Sequence, residues 1–254
     1  MSDQDRPYVT ATADRAVATL TLDSPHNRNA LSRRLVTELR EHLATAAADP
    51  AVRAVVLAHT GRVFCAGADL TEAADGPAAG TARLLALLRE LVELPKPVLG
   101  RVDGHVRAGG LGLLGACDIV VAGPASSYAF TEARIGVAPA VISLTTLPRL
   151  TARAAARYYL TGEVFDAAAA QDCGLITIAA ADVDATLAEL LDGVRAGSPQ
   201  GLAASKRLAT REVRAALDAY GEEMAALSAE LFATEEAAEG MMAFLQRGKP
   251  SWAA

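Results

Sequence analysis

Long apolar segments and cysteines are both scarce in this chain of 254 residues. Arg, Asp, Glu or Pro interrupts every apolar run before it reaches 18 residues, so we expect no membrane span. The first 15 residues lack a basic segment followed by an apolar one, so we do not expect secretion. The chain has three widely spaced cysteines, Cys65, Cys117 and Cys173. They suit buried thiols in a reducing compartment better than a disulfide framework or a metal cluster, so we predict a cytoplasmic protein without a metal site.

The sequence also has no excess of positive charge. It contains 24 Lys and Arg against 30 Asp and Glu, a formal net charge of −6, which argues against non-specific binding of nucleic acid. Alanine makes up much of the 52% hydrophobic content and favours helices over disorder. The length allows one large α/β domain or two small ones.

The order of the predicted elements favours an α/β fold with largely parallel strands. Residues 8–13 and 16–22 alternate in polarity and predict a hairpin, and Ser32 predicts the start of a helix that runs to about residue 48. Residues 71–80 predict a loop, and residues 81–94 predict a helix. Later helices are predicted over residues 181–196, 200–210, 214–232 and 235–246. Their apolar stripe (Leu217, Met224, Leu227 and Leu231) covers either its own core or a neighbouring subunit.

A glycine pair, Gly109–Gly110, falls where a predicted strand passes into a helix. Glycine lets a backbone N–H approach a ligand closely, and the N-terminus of a helix favours negative charge. A second junction of this kind is FCAGADL, residues 64–70, where the Ala68 N–H is the candidate donor and Asp69 is a candidate helix cap. Two such junctions can supply two backbone donors to one oxygen, which is the geometry of an oxyanion hole.

Glu132 is the candidate acid or base. Most glutamates are solvated surface groups, but Glu132 has apolar neighbours that would raise its pKa toward neutrality, as general acid–base chemistry requires. Arg134 either counters that shift or points away.

The glycines of this region also match the dinucleotide fingerprint G-x-G-x-x-G at Gly110, Gly112 and Gly115. The next strand follows these glycines almost at once, although a dinucleotide fold places a longer helix there. The glycines also come after several strands rather than in the first βα unit. Nucleotide binding is therefore the weaker interpretation.

In these residues the chain resembles the crotonase (enoyl-CoA hydratase/isomerase) superfamily. The resemblance rests on the joint order of seven segments: PHNRNAL, FCAGADL, DGHVRAGGLGLLGACDIVVA, TEARIGVAP, TGEVFDAAAAQDCGLI, SPQGLAASKRL and FLQRGKPSW. It implies an α/β, ClpP/crotonase-like spiral of ββα units over residues 1–195. It also implies a helical oligomerisation region over residues 196–254, with assembly as a homotrimer or homohexamer. The implied substrate is an acyl-CoA thioester, with coenzyme A as part of the substrate and no separate cofactor.

The resemblance also assigns roles to individual residues. The N–H groups of Ala68 and Gly109 would bind the thioester oxygen and stabilise an enolate. Further positions would contact the CoA moiety: Ala66, Asp69, Leu70 and Thr71 along its length, Asn27, Arg28 and Ala30 near the adenine, and Lys249 at the phosphates, across a subunit boundary.

The chain departs from the family pattern at one of two catalytic glutamates. The first glutamate position falls on Gly112, whereas the second is kept as Glu132, with Thr131 in place of the usual proline. We expect a water molecule to occupy the space of the missing side chain.

Three functions are compatible with this pattern. The leading hypothesis is an enoyl-CoA hydratase that acts on 2-trans-enoyl-CoA or a branched relative, such as a methylglutaconyl-type substrate. In this reaction Glu132 activates water for attack at C3. A Δ3–Δ2 enoyl-CoA isomerase is the rival, since one glutamate suffices to move a proton between C2 and C4. The third is a catalytically degenerate acyl-CoA-binding or assembly subunit. Other crotonase chemistries, such as C–C cleavage or thioester hydrolysis, share the same framework.

Overall fold

Two β-sheets organise the fold, and most of their strands pair in parallel. The computed structural model describes residues 6–253, apart from the side chains of residues 73–75. The larger sheet has the order β1-β2-β3-β5-β7-β10, and the smaller has the order β4-β6-β8-β9. Within residues 6–253, only the β1–β2 and β8–β9 pairs are antiparallel. The strands are β1 Val9–Asp14, β2 Val17–Leu22, β3 Ala54–His59, β4 Val63–Cys65, β5 Val98–Val102, β6 His105–Arg107, β7 Ile119–Ala122, β8 Ser127–Ala129, β9 Phe165–Asp166 and β10 Ile178–Ala179.

Helices connect the strands and dominate the second half of the chain, so the predicted α/β class is confirmed. They are α1 Arg33–Ala48, α2 Pro77–Glu93, α3 Gly109–Ala116, α4 Ala140–Thr146, α5 Ala152–Thr161, α6 Ala167–Asp172, α7 Val183–Ala196, α8 Pro199–Ala209, α9 Arg211–Phe232 and α10 Glu235–Leu245. Short 3-10 turns form at Pro25–Asn27, Leu70–Asp75 and Glu132–Ile135. No helix of residues 6–253 is both long and apolar enough to cross a bilayer.

The first hairpin and α1 form as their sequences predict. Arg15 and Ala16 adopt positive φ angles of 41° and 63°, which suit a tight turn between paired strands. The Ser32 hydroxyl oxygen accepts a hydrogen bond from the Leu35 N–H at 3.2 Å and caps α1. The buried face of α1 then includes Leu39.

The segment of residues 71–80, predicted as a loop, is mostly helical. The 3-10 turn Leu70–Asp75 takes up its first half, and α2 begins at Pro77 rather than at residue 81. Pro77 suits the first turn of a helix because its fixed φ is already helical and its missing N–H has no helical partner to lose. Gly76, the residue before Pro77, has φ +89°, a backbone conformation that glycine adopts without steric strain.

The C-terminal helices pack on the core of their own chain. Helix α9 contacts both α2 and α4. Its Leu217 is buried, and Met224 packs against the core, whereas Leu227 stays 37% exposed. The stripe therefore covers its own core over part of its length, and the predicted boundary at residue 195 falls near the end of α7. Oligomerisation through residues 196–254 stays a prediction.

Candidate active site

The smaller sheet brings three chemically distinct segments to one edge. Strands β4, β6 and β8 pair in parallel, so their carboxyl ends point the same way. The segment after β4 holds Ala68, the segment after β6 holds Gly109, and the segment after β8 holds Glu132. The carboxyl edge of a parallel sheet is where ligands bind in open α/β folds. All three residues line one cavity of about 110 Å³, which we call the first cavity.

The segments after β4 and β6 lie in direct contact. A Cβ added at Gly67, whose φ is +92°, would lie 2.8 Å from Ala108 Cβ and 3.3 Å from Gly109 N. A Cβ added at Gly109 would lie 3.8 Å from Ala68 N. Gly67 is thus required both by its positive φ and by the close approach of the two backbones. Ala108 itself has φ +47°, a costly conformation for a residue with a side chain, and such strain concentrates at functional sites.

Glu132 is the buried carboxyl group of the first cavity. It begins the 3-10 turn Glu132–Ile135 and is only 7% exposed. Its Oε2 atom has no hydrogen-bond partner among the described residues. Burial without a compensating charge raises the pKa of Glu132 from its ordinary 4.5 to about 7. The nearby Arg134 does not counter this shift, because its guanidinium donates to the Thr161 carbonyl at 3.0 and 3.1 Å.

Helices α9 and α10 complete the first cavity. Ser228 and Phe232 come from α9, and Phe244 comes from α10. These residues were missed at the sequence level, because an amphipathic pattern shows which face of a helix is buried but not what it meets. The remaining wall is mainly apolar and includes Leu70, Leu84, Ile135 and Ile142.

The side-chain space at Gly112 is already filled. A Cβ added there would lie 2.6 Å from Ile142 Cγ2 and 3.0 Å from Ile142 Cβ, with Leu88 Cδ1 at 3.4 Å. The expectation that water occupies the space of the missing glutamate is therefore wrong, because Ile142 occupies it. Gly112 is buried in α3 and is not among the residues that line the first cavity. Glu132 thus faces the cavity without a second carboxylate from this position.

A second cavity of about 150 Å³ adjoins the first. The two share wall residues Ala68, Leu70, Leu84, Ser228 and Phe232. Asp69, Glu72 and Arg83 add charge to the second cavity. The Asp69 carboxylate accepts from Thr71 N at 3.1 Å and from Thr71 Oγ1 at 2.7 Å. This pattern supports the predicted capping role of Asp69 at the turn that follows it.

The loop after β2 lies against the same segment. Asn27 Nδ2 donates to Asp69 Oδ2 at 3.1 Å, and Ala66 N donates to the Arg28 carbonyl at 3.1 Å. Arg28 is exposed, and Ala30 is buried. Lys249 is exposed beyond α10 and lines neither cavity. Of the predicted contact residues, Ala66, Ala68, Asp69, Leu70 and Gly109 thus line one or both cavities. Asn27, Arg28 and Thr71 hydrogen-bond to the segment of residues 66–69, whereas Lys249 lies outside both cavities.

A known family shares this sequence pattern. The family model described as "Enoyl-CoA hydratase/isomerase" matches residues 12–254. The chain belongs to this family. Among curated members, it is 32% identical over 241 residues to the 2,3-dehydroadipyl-CoA hydratase of Escherichia coli (strain K12), covering 93% of this chain and 94% of that protein.

Solved members of the enoyl-CoA hydratase/isomerase family share the fold. A crystal structure of an enoyl-CoA hydratase from Mycobacterium avium is 57% identical, with a TM-score of 0.92 over 97% of this chain and 99% of that one. The carnitinyl-CoA hydratase from the same species is 28% identical, with a TM-score of 0.84 over 98% and 99% of the two chains. The predicted crotonase-like fold is thereby confirmed, and the chain is an enzyme of this family.

Proposed function

We propose that the chain adds water across the 2,3 double bond of an enoyl-CoA thioester, with Glu132 as the single acid–base group. The observation that supports this function is the first cavity itself, where Glu132 shares an apolar space with the backbone of Ala68 and Gly109. The thioester oxygen would accept hydrogen bonds from those two N–H groups. Each such donor typically increases kcat by a factor of about 10²–10³, because it stabilises the negative charge that forms on the oxygen.

The proton balance of this reaction needs only one carboxyl group. Ionised Glu132 removes a proton from water while the water oxygen bonds to C3, and the electron pair of the double bond moves to the thioester as an enolate. The protonated Glu132 then returns that proton to C2, and the 3-hydroxyacyl-CoA product forms without net gain or loss of protons. A pKa of about 7 suits a group that must both accept and donate a proton near neutrality.

A Δ3–Δ2 enoyl-CoA isomerase is the second candidate, favoured by the Ile142 side chain that fills the space at Gly112. Isomerisation needs one base, which removes a proton from C2 and returns it to C4. The same Glu132 and the same pair of backbone donors would serve this reaction. The two candidates differ in whether water must be held in the first cavity beside the substrate.

Contacts to the CoA moiety form a further part of the proposal. We propose that Ala66, Asp69, Leu70 and Thr71 lie along it, supported by the shared walls of the two cavities. We propose that the loop of residues 27–30, with Arg28 and Ala30, lies near the adenine, and the hydrogen bond from Asn27 to Asp69 supports this. Lys249 would reach the phosphates only from a neighbouring subunit. The proposed chemistry uses no separate cofactor.

Assembly and location complete the proposal. We propose a homotrimer or homohexamer that uses the helical region of residues 196–254. This region exposes large apolar side chains: Met242, Leu245 and Trp252 are 55%, 55% and 42% exposed. Their exposure supports the proposal that a neighbouring subunit covers them. A cytoplasmic location is supported by Cys65, Cys117 and Cys173, which are all buried free thiols. Sedimentation equilibrium measures the assembly, and a monomeric mass would contradict it.

The test offers crotonyl-CoA, a longer 2-enoyl-CoA and a 3-enoyl-CoA, and follows absorbance of the conjugated thioester. A hydratase consumes the 2-enoyl signal. An isomerase generates that signal from the 3-enoyl substrate without consuming it later, which would contradict the leading proposal.

We expect Glu132→Gln to lower kcat by about 10²–10⁴-fold while acyl-CoA affinity stays near that of the parent, because the amide cannot accept the proton. The matched control is Glu223→Gln, the same change at an exposed position on α9. Its kcat should equal that of the parent. Tight acyl-CoA binding with no turnover by the parent chain would identify a binding subunit instead.

A further inference from the structure

We infer that the first cavity takes an acyl chain whose far end carries no charge. This inference rests on the proposed function and narrows it to a substrate class. Glu132 supplies the only charged side chain among the described residues that line this cavity, and no Lys or Arg lines it. The polar side chains beside Glu132 are the hydroxyls of Thr131 and Ser228.

A carboxylate at the far end of the acyl chain would have no partner in this cavity. Its transfer from water into an apolar wall is costly unless a cation or several donors compensate. Ionised Glu132 would add repulsion between like charges. Arg134, the nearest guanidinium in sequence, is directed to the Thr161 carbonyl instead.

The second cavity does not supply the missing cation either. Arg83 lies 3.9 Å from Glu72 and is therefore already opposed by a carboxylate. Asp69 lines the same cavity, so two acidic side chains face one basic side chain there among the described residues. Among the described residues, neither cavity therefore offers an unopposed cation.

This inference separates the chain from its 2,3-dehydroadipyl-CoA hydratase relative, whose named substrate ends in a carboxylate. The sharpest comparison uses two six-carbon substrates, 2-hexenoyl-CoA and 2,3-dehydroadipyl-CoA. They share the reacting double bond and differ at the far end, where one has a methyl group and the other a carboxylate. We expect kcat/KM to be at least about 100-fold higher for 2-hexenoyl-CoA, given the penalty for burying an unpaired ion.

A gain-of-function variant tests whether the far end of the acyl chain lies near Phe244 in the first cavity. Phe244 lines the first cavity but is 52% exposed, so Phe244→Arg can be accommodated without burying the new charge. It should raise kcat/KM for 2,3-dehydroadipyl-CoA relative to 2-hexenoyl-CoA by about 10-fold or more, through a charge-assisted hydrogen bond. Leu160→Arg is the control, because Leu160 on α5 is 80% exposed, lies outside the proposed oligomerisation region and lines neither cavity. The control should leave the ratio unchanged, and circular dichroism should show that both variants are folded.

The outcomes separate this inference from the proposed function. Turnover of both substrates with equal or better use of 2,3-dehydroadipyl-CoA would overturn the inference and leave the hydratase proposal intact. An unchanged ratio in folded Phe244→Arg would also overturn it, because the acyl end would then lie elsewhere. Failure of every 2-enoyl-CoA to react, crotonyl-CoA included, would instead contradict the proposed function.

Discussion

The Glu132 carboxyl group is buried at a position where its ionisation is unfavourable. Its Oε2 atom lacks a hydrogen-bond partner within the described chain, and burial raises its pKa to about 7. A rise in the pKa from 4.5 to about 7 corresponds to about 3 kcal/mol against the ionised form in the folded state. The property that would make Glu132 a useful base therefore also destabilises the fold at neutral pH.

This cost predicts how stability depends on pH. Between pH 4.5 and 7 the folded chain holds the Glu132 proton while the unfolded chain releases it, so this group makes folding less favourable as pH rises. Glu132→Gln removes that dependence. At pH 8 we expect the free energy of unfolding of the variant to exceed that of the parent by up to about 3 kcal/mol, so the variant should unfold at a higher urea concentration. The difference should be smaller at pH 5. Glu223→Gln should match the parent at both pH values, and a less stable Glu132→Gln at pH 8 would contradict the prediction.

At the scale of elements, α10 packs directly on the turn that carries Glu132. A Cβ added at Gly240 would lie 2.5 Å from the Ile135 carbonyl carbon. From the other side, a Cβ at Gly136 would lie 2.7 Å from the Glu236 carbonyl carbon. Two backbones thus meet without side chains between them, and α10 also places Phe244 in the cavity wall. The position of α10 is therefore coupled to the geometry of the site.

We expect Gly240→Ala to lower both stability and kcat. The added methyl group meets backbone atoms, so α10 must shift, and such overpacking typically costs about 1–3 kcal/mol. Gly193→Ala in α7 is the matched control, since nothing lies within 4 Å of its added Cβ. There alanine should stabilise the helix by up to about 1 kcal/mol and leave kcat unchanged. Thermal unfolding and steady-state kinetics measure both effects, and a fully active Gly240→Ala would exclude the coupling.

At the scale of the whole molecule, a buried ion pair joins the C-terminal helices to the central sheet. Lys206 Nζ on α8 lies 3.0 Å from Oδ2 of Asp118, the residue just before β7. It also donates to the Leu91 carbonyl at 2.8 Å and the Lys96 carbonyl at 3.1 Å. Burial lowers the pKa of Lys206, and the Asp118 carboxylate opposes that shift. The Lys206 side chain is 4% exposed, so the pair is screened little by solvent.

Removal of one partner should therefore destabilise the whole fold. We expect Lys206→Met to lower the free energy of unfolding by about 3 kcal/mol, because the buried Asp118 carboxylate then keeps, among the described residues, only the Val98 N–H and the charge of Arg149 as compensation. Arg207→Met, at the adjacent exposed position, should change stability by less than about 0.5 kcal/mol. Chemical denaturation compares the two variants. Equal stabilities would show that the pair contributes nothing.

Local features were predictable from the sequence, whereas contacts between distant segments were not. The first hairpin, the Ser32 cap and the two glycine-containing junctions depend on neighbouring residues, and each forms as its sequence indicates. The helical state of residues 77–80 was missed, although Pro77 is itself a signal for a helix start. The closure of the Gly112 space by Ile142 could not be inferred, because it depends on how α4 packs against α3.

The contact between Gly240 and Ile135 also joins two parts of the site that are made at different times during translation. The turn that holds Glu132 is made about a hundred residues before the helix that packs against it. A nascent chain that ends just after this turn already contains the sequences of β4, β6 and β8, but α10, which packs on the turn, has not yet been made. The last part of the catalytic pocket is thus completed only when translation has passed α10.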